Sequence, residues 1–167
     1  RNSLIDKYSG DWSASVSVQI EDDKAVSLDV YSVKNGLLRF PGKDVDFLNI
    51  GDDGAYICRR IADEYNLSVG DKFRVSPYGS DKEYEMIVSD IAYSVSENIV
   101  VSPAYAQKVG IPYTVDSVYT KTDKSDIALS DTIKAVQSKQ MVIDSFDSFM
   151  ELMNTMIFVL VLGAMLL

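Results

Sequence analysis

Residues 12–31 read WSASVSVQIEDDKAVSLDVY. Trp12, Ala14, Val16, Val18 and Ile20 alternate with serines and Gln19, and Val26, Leu28 and Val30 alternate with Ser27, Asp29 and Tyr31. A period of two marks a strand with one buried face, because successive side chains point to opposite sides of the backbone. The polar stretch Glu21 to Lys24 joins the two runs, so the segment predicts a β-hairpin.

Downstream of the hairpin, Asn35-Gly36 and Pro41-Gly42 mark turns, and Asp44 to Gly54 is an acidic connection. Ala55 to Leu67 carries Ile57, Cys58, Ile61, Ala62 and Tyr65 at helical spacing. Asp52-Asp53 before it suits a helix N-terminus, and Asn66 can take the left-handed conformation that closes one. After Gly70-Asp71, strands are expected over Phe73–Ser76, Tyr84–Tyr93 and Asn98–Val101, with Pro77-Tyr78-Gly79 turning the first pair and Pro103 opening a short helix to Val109. Val115–Tyr119 reads as a strand, Ser125 or Asp126 as the cap of a helix to about Ser138, and Met141–Ile143 as a last short strand. Strands and helices interspersed by hairpin-length connections favour an α+β fold, with mixed sheet and a few short helices, over a doubly wound one.

The whole chain of 167 residues is 47% hydrophobic, an ordinary globular mix with room for a core. Sixteen Lys and Arg stand against 25 Asp and Glu, a net charge of −9 that repels phosphate backbones, so nucleic acid is not an expected partner. Histidine is absent, which removes the usual general base near neutral pH, the usual zinc ligand and any Ser-His or Cys-His pair. No catalytic, cofactor or metal site is expected, and the protein does not read as an enzyme. Asp44, Asp46, Asp52 and Asp53 could offer oxygens to calcium, but they lack EF-hand spacing and its closing glutamate, so a solvated turn and helix cap is preferred. Cys58 lies on the apolar stripe and reads as a small core residue, with no second cysteine to pair. The tyrosines at 56, 65, 78, 84, 93, 105, 113 and 119 could form a peptide-binding surface, although several fall in strand patterns that favour core or sheet-face positions.

At the carboxyl end, Asp144 or Ser145 can cap a helix with Phe146, Phe149, Met150, Met153 and Ile157 on one stripe and Asp147, Ser148, Glu151 and Asn154 elsewhere. From Met156 to Leu167 every residue is apolar or glycine. That run covers about 18 Å at about 1.5 Å per residue, short of a hydrocarbon core of about 30 Å. It reaches the end of the sequence, however, and no later element can cover its second face. The chain also opens on Arg1, so both ends read as cut. Two parts are therefore expected: a folded domain over 1–144, and a stalk entering a transmembrane span over 145–167.

Residues 50–75, IGDDGAYICRRIADEYNLSVGDKFRV, resemble a signature of FtsX-like (MacB-type) ABC transporter permeases. In that family a turn glycine leads into a helix with a Leu-Ala pair, then a Val-Gly-Asp close and a strand. Gly54 fills the turn, Ile61-Ala62 the pair and Val69-Gly70-Asp71 the close, whereas Cys58 and Asn66 stand where serine and glycine are frequent. The likeness continues through Tyr84–Tyr93, Asn98–Ser102 and the last helix, and covers most of the chain after about Ser27. It implies a permease subunit in the cell membrane, with residues 1–144 as its extracytoplasmic domain, worked by a separate cytoplasmic ATPase and acting on a peptide, lipoprotein or cell-envelope protein. The alternative is a membrane-tethered peptide-binding or protein-binding module with no transport role. A hydrolase with paired acids is a third hypothesis, for which no residue spacing speaks.

Overall fold

The expected hairpin forms over its whole length: strand β1 (Asp11–Ile20) pairs antiparallel with β2 (Lys24–Ser32), in register from Trp12 opposite Ser32 to Ile20 opposite Lys24. The computed structural model describes residues 2–8, 10–41, 47–94 and 96–165. Gly42, Asp44 and Asp46, singled out above, lie outside them. The tight turn holds Glu21 and Asp22 at φ of 47° and 57°, unusual for non-glycine residues. Glu21 is fixed there by three hydrogen bonds to Arg74: its carboxylate accepts from the Arg74 backbone N–H at 2.7 Å and guanidinium at 3.1 Å, while its own N–H donates to Arg74 O.

Beyond a short helix α1 (Asn2–Tyr8) and a two-stranded ribbon of β3 (Phe40–Pro41) and β4 (Phe47–Leu48), the remaining strands extend the hairpin into a ring. They are β5 (Ala55–Cys58), β6 (Lys72–Pro77), β7 (Tyr84–Ala92) and β8 (Asn98–Val101). β2 pairs parallel with β8, β8 antiparallel with β5, β5 parallel with β7, β7 antiparallel with β6, and β6 antiparallel with residues 18–20 of β1. The sheet is mixed, as expected, but it closes on itself into a six-stranded barrel, which alternation alone did not indicate. Closure gives every strand of the ring a partner on both sides and leaves open to the ring only the part of the β1 edge before Val18. A last strand, β9 (Ser117–Tyr119), adds to the other half of the same β1 edge, over residues 11–13.

The alternating residues meet inside: Ala14, Val18, Ile20, Val26, Leu28, Val30, Phe73, Val75, Met86, Val88, Ile99 and Val101 are all buried in one cluster. Helix α2 (Arg59–Glu64) packs Ile61 and Ala62 against β5 and β7, and α3 (Pro103–Val109) packs Tyr105 and Ala106 against β2 and β7. Each large side chain so buried stabilises the fold by about 1.5–3 kcal/mol relative to exposure.

Three expectations are corrected. The helix expected from Ala55 to Leu67 begins only at Arg59, because Ala55, Tyr56, Ile57 and Cys58 form a strand buried on both faces, whose unbroken apolar run carries no period of its own. Asp52 and Asp53 therefore do not cap it. Cys58 is its N-cap residue, without a side-chain bond. The helix expected from 125 to 138 is reduced to a single 3-10 turn, Lys124–Asp126, capped by Asp123. Met141–Ile143 is not a strand, having no ladder to join; it lies within helix α4 (Lys139–Met165), which starts earlier than Asp144. The chain divides into two compact units, residues 1–121 and 122–167.

Candidate functional site

Helix α4 begins where Ser138 Oγ accepts the Met141 N–H at 3.2 Å, the ordinary way a serine satisfies an orphan donor in a first turn. Gln140, Asp144, Asp147, Glu151 and Asn154 follow at intervals of three and four and share one face, with Gln140 Nε2 donating to Asp144 Oδ1 at 2.7 Å. The stripe named from the sequence lies away from them, with Phe146, Phe149, Met150, Met153 and Ile157 all exposed. Beyond Asn154 and Thr155 the polar face disappears, and Met156 to Leu162 are exposed on every side. The hydroxyls of Ser145, Ser148 and Thr155 are satisfied within the helix, each donating to the carbonyl four residues back, at Met141, Asp144 and Glu151. Such back-bonding suits a medium that supplies no water to hydroxyl groups. Residues 139–164 are long and apolar enough to cross a membrane by length and composition, and among the described residues none buries any of that span.

The motif residues of 54–71 have structural tasks. Gly54 lies against β7, where a β-carbon would come within 2.7 Å of both Ile87 O and Ser89 Cβ, so only glycine permits the approach of β5 to its parallel neighbour. Ile61 and Ala62 are core residues, and Asn66 takes φ of 50° after the helix, as expected. Val69 is exposed. Gly70 holds φ of 94° so that its N–H can donate to Val88 O while the Val88 N–H donates to Asp71 O; the Asp71 carboxylate accepts from the Ser68 N–H at 2.8 Å. This turn lashes the α2–β6 connection to the middle of β7.

The tyrosines do not gather into one surface. Tyr56, Tyr84 and Tyr105 are buried, and Tyr105 OH accepts the Ile87 N–H at 2.9 Å; Tyr78 and Tyr93 are exposed. Cys58 is a buried free thiol. Asp52 accepts from Ser102 Oγ at 2.6 Å and Asp53 from Ser89 Oγ at 3.3 Å, so neither is available as an array of metal oxygens. Among the described residues no group of three or more acidic, Cys or His side chains could hold a metal ion.

A polar cluster that sequence reasoning missed covers the outer face of the hairpin. Asp29 is buried and accepts from Ser15 Oγ, Ser27 Oγ and Asn98 Nδ2 at 2.6–2.8 Å. Burial and then the nearby charges of Asp29, Tyr119 and Asp116 push the Tyr31 phenol up to about 12. Alternation placed Asp29 on the side of its strand opposite Leu28 and Val30; only the fold brings Asn98 to it. Asp11, also buried, accepts the N–H groups of Asn35 and Leu37 at 2.7 Å and pins the loop leaving β2.

No protein-family model and no curated protein matches this chain.

Proposed function

We propose that this chain is the extracytoplasmic domain of a membrane protein, with α4 as the stalk that enters the bilayer, and that the protein is an ABC permease of the FtsX-like type. The observation that carries the membrane part is the exposure of α4: its part beyond Thr155, apolar all round and covered by nothing among the described residues, suits hydrocarbon and not water. The permease part rests on the order of the Gly54, Ile61-Ala62 and Val69-Gly70-Asp71 elements. In this reading a separate cytoplasmic ATPase drives the membrane helices, and the barrel acts on a peptide, lipoprotein or cell-envelope protein outside. No bound cofactor belongs to this domain's part in it.

The continuity of α4 from Lys139 to Met165 is what allows displacement to travel along it. Met153→Pro breaks that continuity, since proline removes a helix bond and clashes with the preceding turn, at a cost of about 3 kcal/mol. The expected result is a permease whose barrel stays folded by Trp12 fluorescence while transport falls at least tenfold. Unchanged transport sinks the coupling role. A second reading, a tethered peptide-binding or protein-binding module, is favoured by residues 120–138, which hold no helix or strand beyond one 3-10 turn and so make a poor rigid rod. Purification of the native protein from membranes separates the two: a stoichiometric ATPase subunit supports the permease, and its absence supports the tether.

A further inference from the structure

The barrel ring closes through residues 18–20 of β1, and no step of that closure uses β9. β9 instead joins the chain's way into the barrel to its way out. Tyr119 lies opposite Asp11, Val118 opposite Trp12 and Ser117 opposite Ser13. Around this short ladder, Thr120 Oγ1 donates to Tyr8 O at 2.9 Å, Ser13 Oγ and Tyr119 OH lie 3.3 Å apart, and the Asp116 N–H donates to Ser13 O at 3.0 Å. Asp116 Oδ2 in turn accepts the Ser15 N–H at 2.8 Å. The backbone at Gly10 sits so close to Tyr119 O that a β-carbon there would overlap it.

Two features make this junction weaker than the ring. Its three strand residues are only half-buried, so little apolar area holds them, whereas ring positions such as Leu28, Ile57 and Val75 are fully buried. The pairing is also antiparallel with Asp11 opposite Tyr119, so the chain before residue 11 and the chain after residue 119 leave from the same end of the ladder. A pull between them loads the bonds one at a time, starting with Thr120 to Tyr8 and ending at Asp116. A ladder loaded that way opens like a zipper, at far lower force than one whose bonds share the load.

We propose that β9 with Asp116 and Thr120 is a clasp, which opens and recloses independently of the barrel and is the first element to yield when residues 122–167 move against the chain entering β1. The clasp follows from the geometry of unit 1–121 alone, so it stands or falls apart from the membrane reading. Native-state hydrogen exchange, followed by NMR on the full chain in detergent micelles, tests it. The amides of Ser15 and Asp116 and those of β9 should exchange at least a hundredfold faster than those of Leu28, Ile57 and Val75. Asp116→Ala should speed β9 exchange a further tenfold and leave the ring unchanged. Ser13 and Ser117 face each other across the ladder, so a disulfide formed in S13C/S117C should slow the clasp amides to near the ring's rate, with reductant reversing the effect. Equal protection of clasp and ring in the unaltered protein overturns the proposal, as does a cross-link that leaves β9 exchange unchanged.

Discussion

Phe73 and Phe158 carry the same side chain into opposite surroundings: 1% of Phe73 is exposed inside the barrel, and 63% of Phe158 is exposed on α4. The barrel and the helix are both rich in large apolar residues, so composition does not separate them. Geometry does. Alternation gives each barrel strand one apolar face, and closing six strands into a ring turns all those faces inward; α4 is apolar around its whole circumference past Thr155, and a lone helix cannot hide a circumference from itself. The hydrophobic effect therefore stabilises the barrel from within but leaves α4 dependent on what lies around it.

The largest expected effect breaks the comparison most directly. Phe73→Ala opens a cavity in the ring and should destabilise the barrel by about 3–5 kcal/mol. Phe158→Ala should change it by less than about 0.5 kcal/mol, as for an exposed position with no special contact. Denaturant unfolding monitored through Trp12 and the tyrosines reads the barrel alone, because that tryptophan and all ten tyrosines lie within residues 1–121. Equal losses from the two substitutions would mean that α4 belongs to the barrel's core. Next comes Val159→Arg, which places a charge in the uninterrupted apolar part of α4. If that part sits in hydrocarbon, the substitution should cost about 2.5–3.5 kcal/mol of membrane insertion, visible as a shift from the carbonate-resistant membrane fraction to the soluble one with no change in barrel unfolding. Unaltered membrane retention would count against α4 as the spanning element.

Most of the barrel's strands were legible because they are half-buried, and half-burial writes a period of two into the sequence: Trp12 to Ile20 and Val26 to Tyr31 are the plainest cases. β5 was not, since Ala55 to Cys58 is buried on both faces and four apolar residues in a row fit a helix as well as a strand. Closure was equally hidden, because the pairing of Leu28 with Ile99 and of Ile20 with Val75 joins segments whose own patterns say nothing about which neighbour they will find. Of the motif, the turn role of Gly70 and the core roles of Ile61 and Ala62 are local and were readable from residue type, whereas the need for glycine at Gly54 comes from β7 and the burial of Asp29 depends on partners far along the chain. Residues 125–138 misled for the converse reason: an isolated helical tendency with no surface to pack on does not make a helix.

Two glycines sharpen the contrast at smaller magnitude. Gly54→Ala drives a β-carbon against the backbone of Ile87 and should destabilise the barrel by about 1–3 kcal/mol. Gly163→Ala meets nothing within 4 Å and removes the conformational freedom of a mid-helix glycine, so it should favour α4 by about 1 kcal/mol, measured as helicity by circular dichroism in micelles. The same chemical change thus has opposite signs in the two regions. If Gly54→Ala proves neutral, the close approach of β5 and β7 is not what selects glycine there.

The smallest effect is confined to the barrel by the absence of tyrosine from α4. Tyr31 is half-buried beside Asp29 and Asp116, and its phenol titrates near 12 against an ordinary 10, burial being the larger cause and the neighbouring charges the rest. A proton held more tightly in the folded state favours folding as long as the unfolded phenol would keep its proton too: the contribution is complete below pH 10 and is lost as pH rises from 10 through about 12. The barrel's melting temperature should therefore fall over that window, and Tyr31→Phe, which cannot ionise, should flatten the part of the fall that Tyr31 causes while the helicity of α4 in micelles stays level. Difference absorbance of the phenolate between the parent and the variant assigns the group. A Tyr31 phenolate that forms already near pH 10, the ordinary phenol value, would show that water reaches the outer face of the hairpin freely, and that Asp29 is not shielded there as the geometry requires.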